Sequence, residues 1–441
     1  METKPRGSGS FRRRLASELE GWKTEGLVTP DQAAKLTERY GLDALAQESR
    51  GTLLLAIYVI GALLVAGGVI SFVAAHWDQM PTAPKVVLLF AAMLGCHGAG
   101  WWLWHVRGSY PKLGHGLVFL GTLIFGANIG LMAQIFHIES RFYNGFSAWA
   151  LGALLVAYAA ASLPNLLIAV VTSFIWFCGW TDDHRDTFSF YPFLAAAAFL
   201  PFAYWRKSVP AFVLAALAVC VGFIVAAGVQ GDVGPCMLAM IGSGALLVGF
   251  GLMALDSDRH RPFAPAAIAL GALALMVATY VFSFREVGAE CFRTYRWRPE
   301  NGNWPFLLTL LAMGVMSVWS RAILVVVNKL PTQPVAVATG LTVVLALLGA
   351  ALRIAPLFVF LLNIAAFSVA VALIWTAVEQ RWRGVFWTGL LFALLLIITR
   401  FFEYDTGLML KSAVFLLCGL GVIYGGVQFE NHLRARRQSH E

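Results

Sequence analysis

From Thr52 to Phe429 the chain is a ladder of apolar runs separated by short polar breaks. The runs fall at 52–75, 86–104, 115–136, 146–161, 165–180, 188–205, 209–229, 236–255, 263–284, 305–327, 335–352, 356–378, 385–402 and 412–429. Most approach the ~20 residues that carry a helix across a ~30 Å hydrocarbon layer, so about fourteen transmembrane helices are predicted. The uncharged stretch from Phe146 to Thr181 would be about 50 Å long as one helix, far more than a bilayer needs. The tetrapeptide Ser162-Leu163-Pro164-Asn165 therefore reads as a tight turn between two short spans. The run that holds Arg321 must either let that side chain snorkel or end early.

Ahead of the ladder, residues 1–10 are Gly, Ser, Pro and charge and read as disordered. Residues 11–48 predict two short helices, the second with a strong start signal: Thr29 as N-cap, Pro30 at the first helical position and Gln32 completing a capping box. A segment this short buries too little surface to fold well alone. The hairpin is expected to dock on the membrane portion, a second copy or the lipid headgroups. The fold class is thus all-α: a polytopic integral membrane helical bundle with a short N-terminal cytosolic hairpin. Its expected parts are residues 1–50 (tail and hairpin), 51–429 (bundle) and 430–441 (basic cytosolic tail).

Composition strengthens this picture. Of 441 residues, 59% are hydrophobic and only 13% charged, against about 25% charged in soluble domains. The net charge of +8 sits in tails and short loops, where it signals topology and contact with anionic lipid, not nucleic acid. Inner and outer loops balance in Lys and Arg, so orientation rests on the two basic tails. Both are placed in the cytoplasm, which requires an even number of spans. The first apolar run is too long for a signal core and is expected to stay as an anchor. The string Gly-Ala-Leu-Leu-Val recurs at Gly61, Gly152 and Gly244. Its intervals contain different numbers of spans, so it is read as coincidence, not as a repeat.

Intramembrane polar groups are the first candidates for chemistry, because burying them unpaired is costly. In the third run Asn128 lies near mid-membrane, flanked by Gly126 and Gly130 in a small-xxx-small seam. Gln134 and His137 lie near the outer end, one turn apart and on one face. Asn363 is the other central amide, able to partner Asn128 or a ligand, with a structural hydrogen bond as the favoured alternative. These four form the candidate polar binding set, with interhelical hydrogen bonding as the favoured structural alternative. Arg400, Glu403, Asp405 and Lys411 form an outer charge cluster, read as a gate or, preferentially, as an interfacial salt-bridge cap. Asp182-Asp183-His184-Arg185-Asp186 resembles half of an aspartate-rich, magnesium-binding prenyltransferase motif, but no second half accompanies it. Cys291 lies in a long outer loop, with Cys178 and Cys236 near outer span ends, which leaves a disulfide open in an oxidising compartment. No span carries a central Asp or Glu, which argues against a carboxylate proton relay. No catalytic residue, metal site or cofactor is assigned.

The segment Trp22…Gly26-Leu27-Val28-Thr29-Pro30-Asp31-Gln32-Ala33…Leu36…Tyr40 resembles a bacterial family of predicted membrane proteins, domain of unknown function 2157. Its usual continuation is present too: a Gly-rich first span, His76-Trp77-Asp78, Lys85, Phe125-Gly126…Gln134 and Trp149. Members typically have Asn where His76 stands. The resemblance covers residues of about 12–160 and implies a bacterial inner-membrane protein with no assigned activity. The leading expectation is a transporter-like or small-molecule- or lipid-binding module without a catalytic centre. Its partners would be the bilayer, a small-molecule or lipid ligand, and a protein or second copy at residues 11–48. The alternatives are an enzyme acting on a lipid-linked substrate through Asp182, Asp183 and Asp186, and a structural or sensory protein whose output is the hairpin.

Overall fold

The computed structural model describes residues 15–42, 77–293, 304–328, 333–403 and 408–438, apart from isolated positions within them, together with Leu64. The first expected span, 52–75, lies outside the described residues except for Leu64, as do residues 1–14. Every other expected run coincides with a helix, and no strand occurs among the described residues. The helices are α1 (Pro30–Tyr40), α2 (Thr82–Trp101), α3 (Pro111–Ile135), α4 (Phe142–Ala159), α5 (Leu163–Asp183), α6 (Tyr191–Arg206), α7 (Val209–Gly231) and α8 (Val233–Ala254). They continue as α9 (Ala264–Phe282), α10 (Arg285–Arg293), α11 (Trp304–Asn328), α12 (Gln333–Leu352), α13 (Ala355–Gln380), α14 (Arg383–Glu403) and α15 (Leu408–Gln438). Among the described residues 10 helices are long and apolar enough to cross a membrane. The chain is a membrane protein with multiple spanning helices.

The chain divides into two compact units, residues 1–88 and 89–441. In the first, Thr29 and Gln32 cap α1 reciprocally: the Thr29 N–H donates to Gln32 Oε1 at 3.0 Å and the Gln32 N–H donates to Thr29 Oγ1 at 3.3 Å. This is the capping box the sequence predicts. Leu19, Ala33 and Leu42 form a small core, with Leu15, Trp22, Leu36 and Tyr40 packed on it. Lys85 stands 5.1 Å above the Trp77 ring.

In the second unit α8 is the hub, packed by α7, α9, α11 and α12. Its residues are small: Gly234, Gly242, Gly244, Gly249 and Gly251 fall on one helix. Small residues let backbones close up where lipid gives no hydrophobic drive to associate. At the α8–α9 crossing, a Cβ added to Gly271 would sit 2.7 Å from the Gly244 carbonyl oxygen, and one added to Gly244 would sit 3.1 Å from that of Gly271. A second crossing of this kind joins α2 to α3, where the two added Cβ atoms would come 2.8 and 2.7 Å from the carbonyls of Gly114 and Gly100. Of the described glycines of the recurrent Gly-Ala-Leu-Leu-Val string, Gly152 faces the Phe125 ring, and Gly244 faces the Leu275 side chain and the Gly271 carbonyl.

One break between helices follows the sequence closely. The uncharged stretch does split, into α4 and α5, at the predicted tetrapeptide. Ala161 takes φ 48°, and the Ser162 N–H reaches back to the Ala157 oxygen at 2.9 Å. This is a Schellman ending with alanine where glycine is usual. Lys207 closes α6 in the same way. α11 runs through Arg321 to Asn328, with the Arg321 side chain exposed. That position is about 10 Å from the helix end, within the reach of a snorkelling arginine.

Candidate functional site

Two of the predicted groups converge where α9 ends. Ser283 is fully buried, and its carbonyl accepts two hydrogen bonds, from Asn363 Nδ2 at 3.2 Å and Arg400 Nη1 at 3.1 Å. Its hydroxyl accepts from Arg400 Nη2 at 2.7 Å and donates to the Tyr280 carbonyl at 2.9 Å. Arg400 also ion-pairs with Glu403, whose other oxygen accepts the backbone N–H of Arg285, the first residue of α10. The guanidinium lies 4.1 Å over the Phe284 ring. The knot joins α9, α10, α13 and α14.

The knot is more enclosed than an interfacial cap. The Arg400 and Glu403 side chains are only 13% and 12% exposed, and Arg400 Nε has no hydrogen-bond partner. A planar guanidinium meets a helix C-terminus here, where free carbonyls concentrate negative charge. Asp405 and the Lys411 side chain, the other two members of the expected cluster, lie outside the described residues.

The intramembrane amides do not form a common site. Asn128 is buried and donates from Nδ2 to the Leu89 carbonyl on α2 at 3.0 Å. Its Oδ1 is enclosed without a partner. Asn363 donates to Ser283 and to Val359 O, not to Asn128. The seam expected around Asn128 is half present. Gly126 sits against the Trp149 ring, while nothing lies within 4 Å of a Cβ added at Gly130. Trp149 Nε1 completes that contact by donating to the Thr122 carbonyl at 3.0 Å.

Gln134 and His137 require a correction, because α3 stops at Ile135. His137 is in the left-handed region at φ 49°, and the Ile138 N–H bonds back to the Ala133 oxygen at 2.9 Å. The chain turns out of the helix between the two residues, so they do not share a helical face. Both are exposed.

The acidic run is engaged in ion pairs. Asp183 pairs with Arg141 and bonds the Tyr143 hydroxyl, and Asp182 pairs with Arg185. Asp186 lies outside the described residues. Among the described residues no group of three or more His, Cys, Asp or Glu side chains stands where it could hold a metal ion. Cys291, Cys236 and Cys178 are free thiols. Cys291 is buried in α10, which pushes its thiol up to about 12.

Two grooves escape a reading of the sequence. One, between α12 and α13, has a volume of about 710 Å³. Val337, Leu341, Ile364, Phe367 and Val371 wall it, and Gln333, Trp375 and Glu379 stand at one end. Trp375 Nε1 donates to Glu379 Oε1 at 2.8 Å. The helical spacing 364, 367, 371, 375, 379 was available as a signal. The valley itself was not, because it depends on Ala338 and Ala372 keeping its floor low. A second groove of about 320 Å³ lies between α4, α5 and α6, with Ser147, Ser173 and Tyr191 among apolar walls. Also unforeseen is the π-helical turn Trp102–Val106 after α2. It accompanies Trp101 stacked on His105, with ring centroids 3.8 Å apart, and Trp104 packed on His115 at the same separation.

No curated protein and no solved structure matches the chain. Residues 20–166, from before α1 through α4 to the first turn of α5, match the family model described as predicted membrane protein (DUF2157). The chain is a multi-spanning membrane protein whose N-terminal third matches this family model.

Proposed function

We propose that the protein is a lipid-binding membrane module without a catalytic centre, which holds a phospholipid acyl chain in the α12–α13 groove. The groove carries the reading. Its volume of about 710 Å³ falls in the ~300–1,000 Å³ range of ligand pockets, which are mostly apolar with a few placed polar groups. It runs along α13 from Ile364 to Glu379, about 22 Å at the helical rise, so it exceeds one leaflet's share of a ~30 Å hydrocarbon layer. Its polar end holds Trp375, and indole is the side chain that favours headgroup depth.

The polar groups elsewhere give less support to a small-molecule transporter. Both central amides are used on carbonyls of neighbouring helices. With both termini in a bacterial cytoplasm, the groove mouth would open in the inner leaflet. Native mass spectrometry of the purified protein tests the reading. Wild type should retain about one phospholipid at the groove, and Val371→Trp, which fills it from an exposed position, should shed that lipid while remaining folded. Equal retention by the two would refute the proposal.

A further inference from the structure

We infer that the α12–α13 groove selects a phospholipid whose headgroup carries an ammonium group, of the phosphatidylethanolamine type; this rests on the lipid-binding reading above. The argument comes from the mouth. Glu379 is an exposed carboxylate at the end of an otherwise apolar groove. The Trp375 indole N–H holds one of its oxygens at 2.8 Å. An ionised carboxylate has about four acceptor positions, so most remain available to a bound donor.

Trp375 contributes a second element. It is 58% exposed, and an indole face attracts a cation within ~6 Å. Carboxylate and ring together make an ammonium site at the depth where a headgroup sits. Gln333 faces them from α12 and adds a neutral donor and acceptor. A headgroup without an ammonium, such as that of phosphatidylglycerol, would offer the Glu379 carboxylate and the Trp375 ring no cation.

The test uses the full-length protein equilibrated with vesicles of equimolar phosphatidylethanolamine and phosphatidylglycerol, then native mass spectrometry of retained lipid. Wild type should hold phosphatidylethanolamine over phosphatidylglycerol by roughly fivefold, the scale of one partly exposed ion pair. Glu379→Gln should bring that ratio near one, and Glu379→Lys should invert it, which a merely structural role for Glu379 would not do. Lipid retained by wild type without headgroup preference, or a preference unchanged in Glu379→Lys, overturns the ammonium assignment and leaves the groove reading standing. No retained lipid in wild type, or retention unaffected by Val371→Trp, overturns both.

Discussion

Replacing Arg400 by methionine removes the centre of the knot at the end of α9. Three partners lose a donor at once: the Ser283 carbonyl, the Ser283 hydroxyl and the Glu403 carboxylate. The carbonyl keeps Asn363 at 3.2 Å, so it is not orphaned. Among the described residues the carboxylate keeps the Arg285 N–H, and it is 12% exposed. Breaking a buried pair by removing one partner costs about 3–5 kcal/mol, because the other charge stays behind unpaired. The residual hydrogen bond and exposure put the expected loss near the lower end, about 3 kcal/mol. Changing both residues, Arg400→Met with Glu403→Met, removes the stranded charge. That double variant should lose less than Arg400→Met alone, about 1–2 kcal/mol, since apolar replacement of a whole buried pair is often near neutral. Reversible unfolding in mixed detergent micelles, followed by circular dichroism, measures both in a double-mutant cycle. A single variant within 0.5 kcal/mol of wild type, or a double variant whose loss is the sum of the singles, would show that the pair behaves as an exposed surface bridge.

Four further outcomes are expected. Gly271→Ala should destabilise by about 1–3 kcal/mol through overpacking, because its Cβ meets the Gly244 carbonyl at 2.7 Å; Gly130→Ala, with open space at that position, should be neutral or gain up to ~1 kcal/mol of helix propensity. Ala161→Gly should raise stability by about 0.5–1 kcal/mol in the same unfolding assay, since relief of a left-handed alanine outweighs the added freedom of the unfolded chain. Cys291 should resist maleimide at neutral pH in the folded protein and label on unfolding, because burial holds its thiol neutral up to about 12. The folded value lies above the unfolded ~8.5, so its contribution to stability is complete below that pH and is lost as pH rises from there toward the folded value. Thr29→Ala should loosen α1 by about 1 kcal/mol, read as faster amide exchange over residues 30–40, with no change in α8.

Span positions were legible because hydrophobicity and length decide them, and a bilayer leaves the backbone few alternatives to helix. Even the least regular break, Ser162 to Asn165, was marked by proline and asparagine. Helix endings were less so. His137 and Ala161 adopt a conformation that glycine usually takes, so nothing in their identity announced it, and the predicted Gln134–His137 face failed for that reason. Arg400, Glu403 and Asn363 were visible as polar residues. Their meeting at Ser283 was not, because the partners lie 80 and 117 residues apart in sequence and only the packing of α9 against α13 and α14 brings them together. The groove was the least legible feature. Its walls are ordinary span residues, and its shape comes from alanines whose role depends on which helix they face.

Where the polar side chains spend their hydrogen bonds separates holding the bundle from meeting a ligand. Asn128 donates to α2, Asn363 and Arg400 to the end of α9, and Trp149 to α3. In each case the acceptor is a backbone carbonyl on another helix, which fixes a helix pair in register without exposing a group to a guest. Such bonds contribute about 1 kcal/mol in membranes and recur as glue. Glu379 differs in both respects. It accepts from a neighbour on its own helix, ties no two helices together among the described residues, and keeps its carboxylate exposed at the mouth of a groove. A charge used for no interhelical bond among the described residues adds little to bundle stability. It follows that Glu379→Gln should leave unfolding within 0.5 kcal/mol of wild type while changing which lipid is retained. Arg400→Met should do the reverse. A Glu379→Gln variant that unfolds as readily as Arg400→Met would collapse this division and return Glu379 to the structural set.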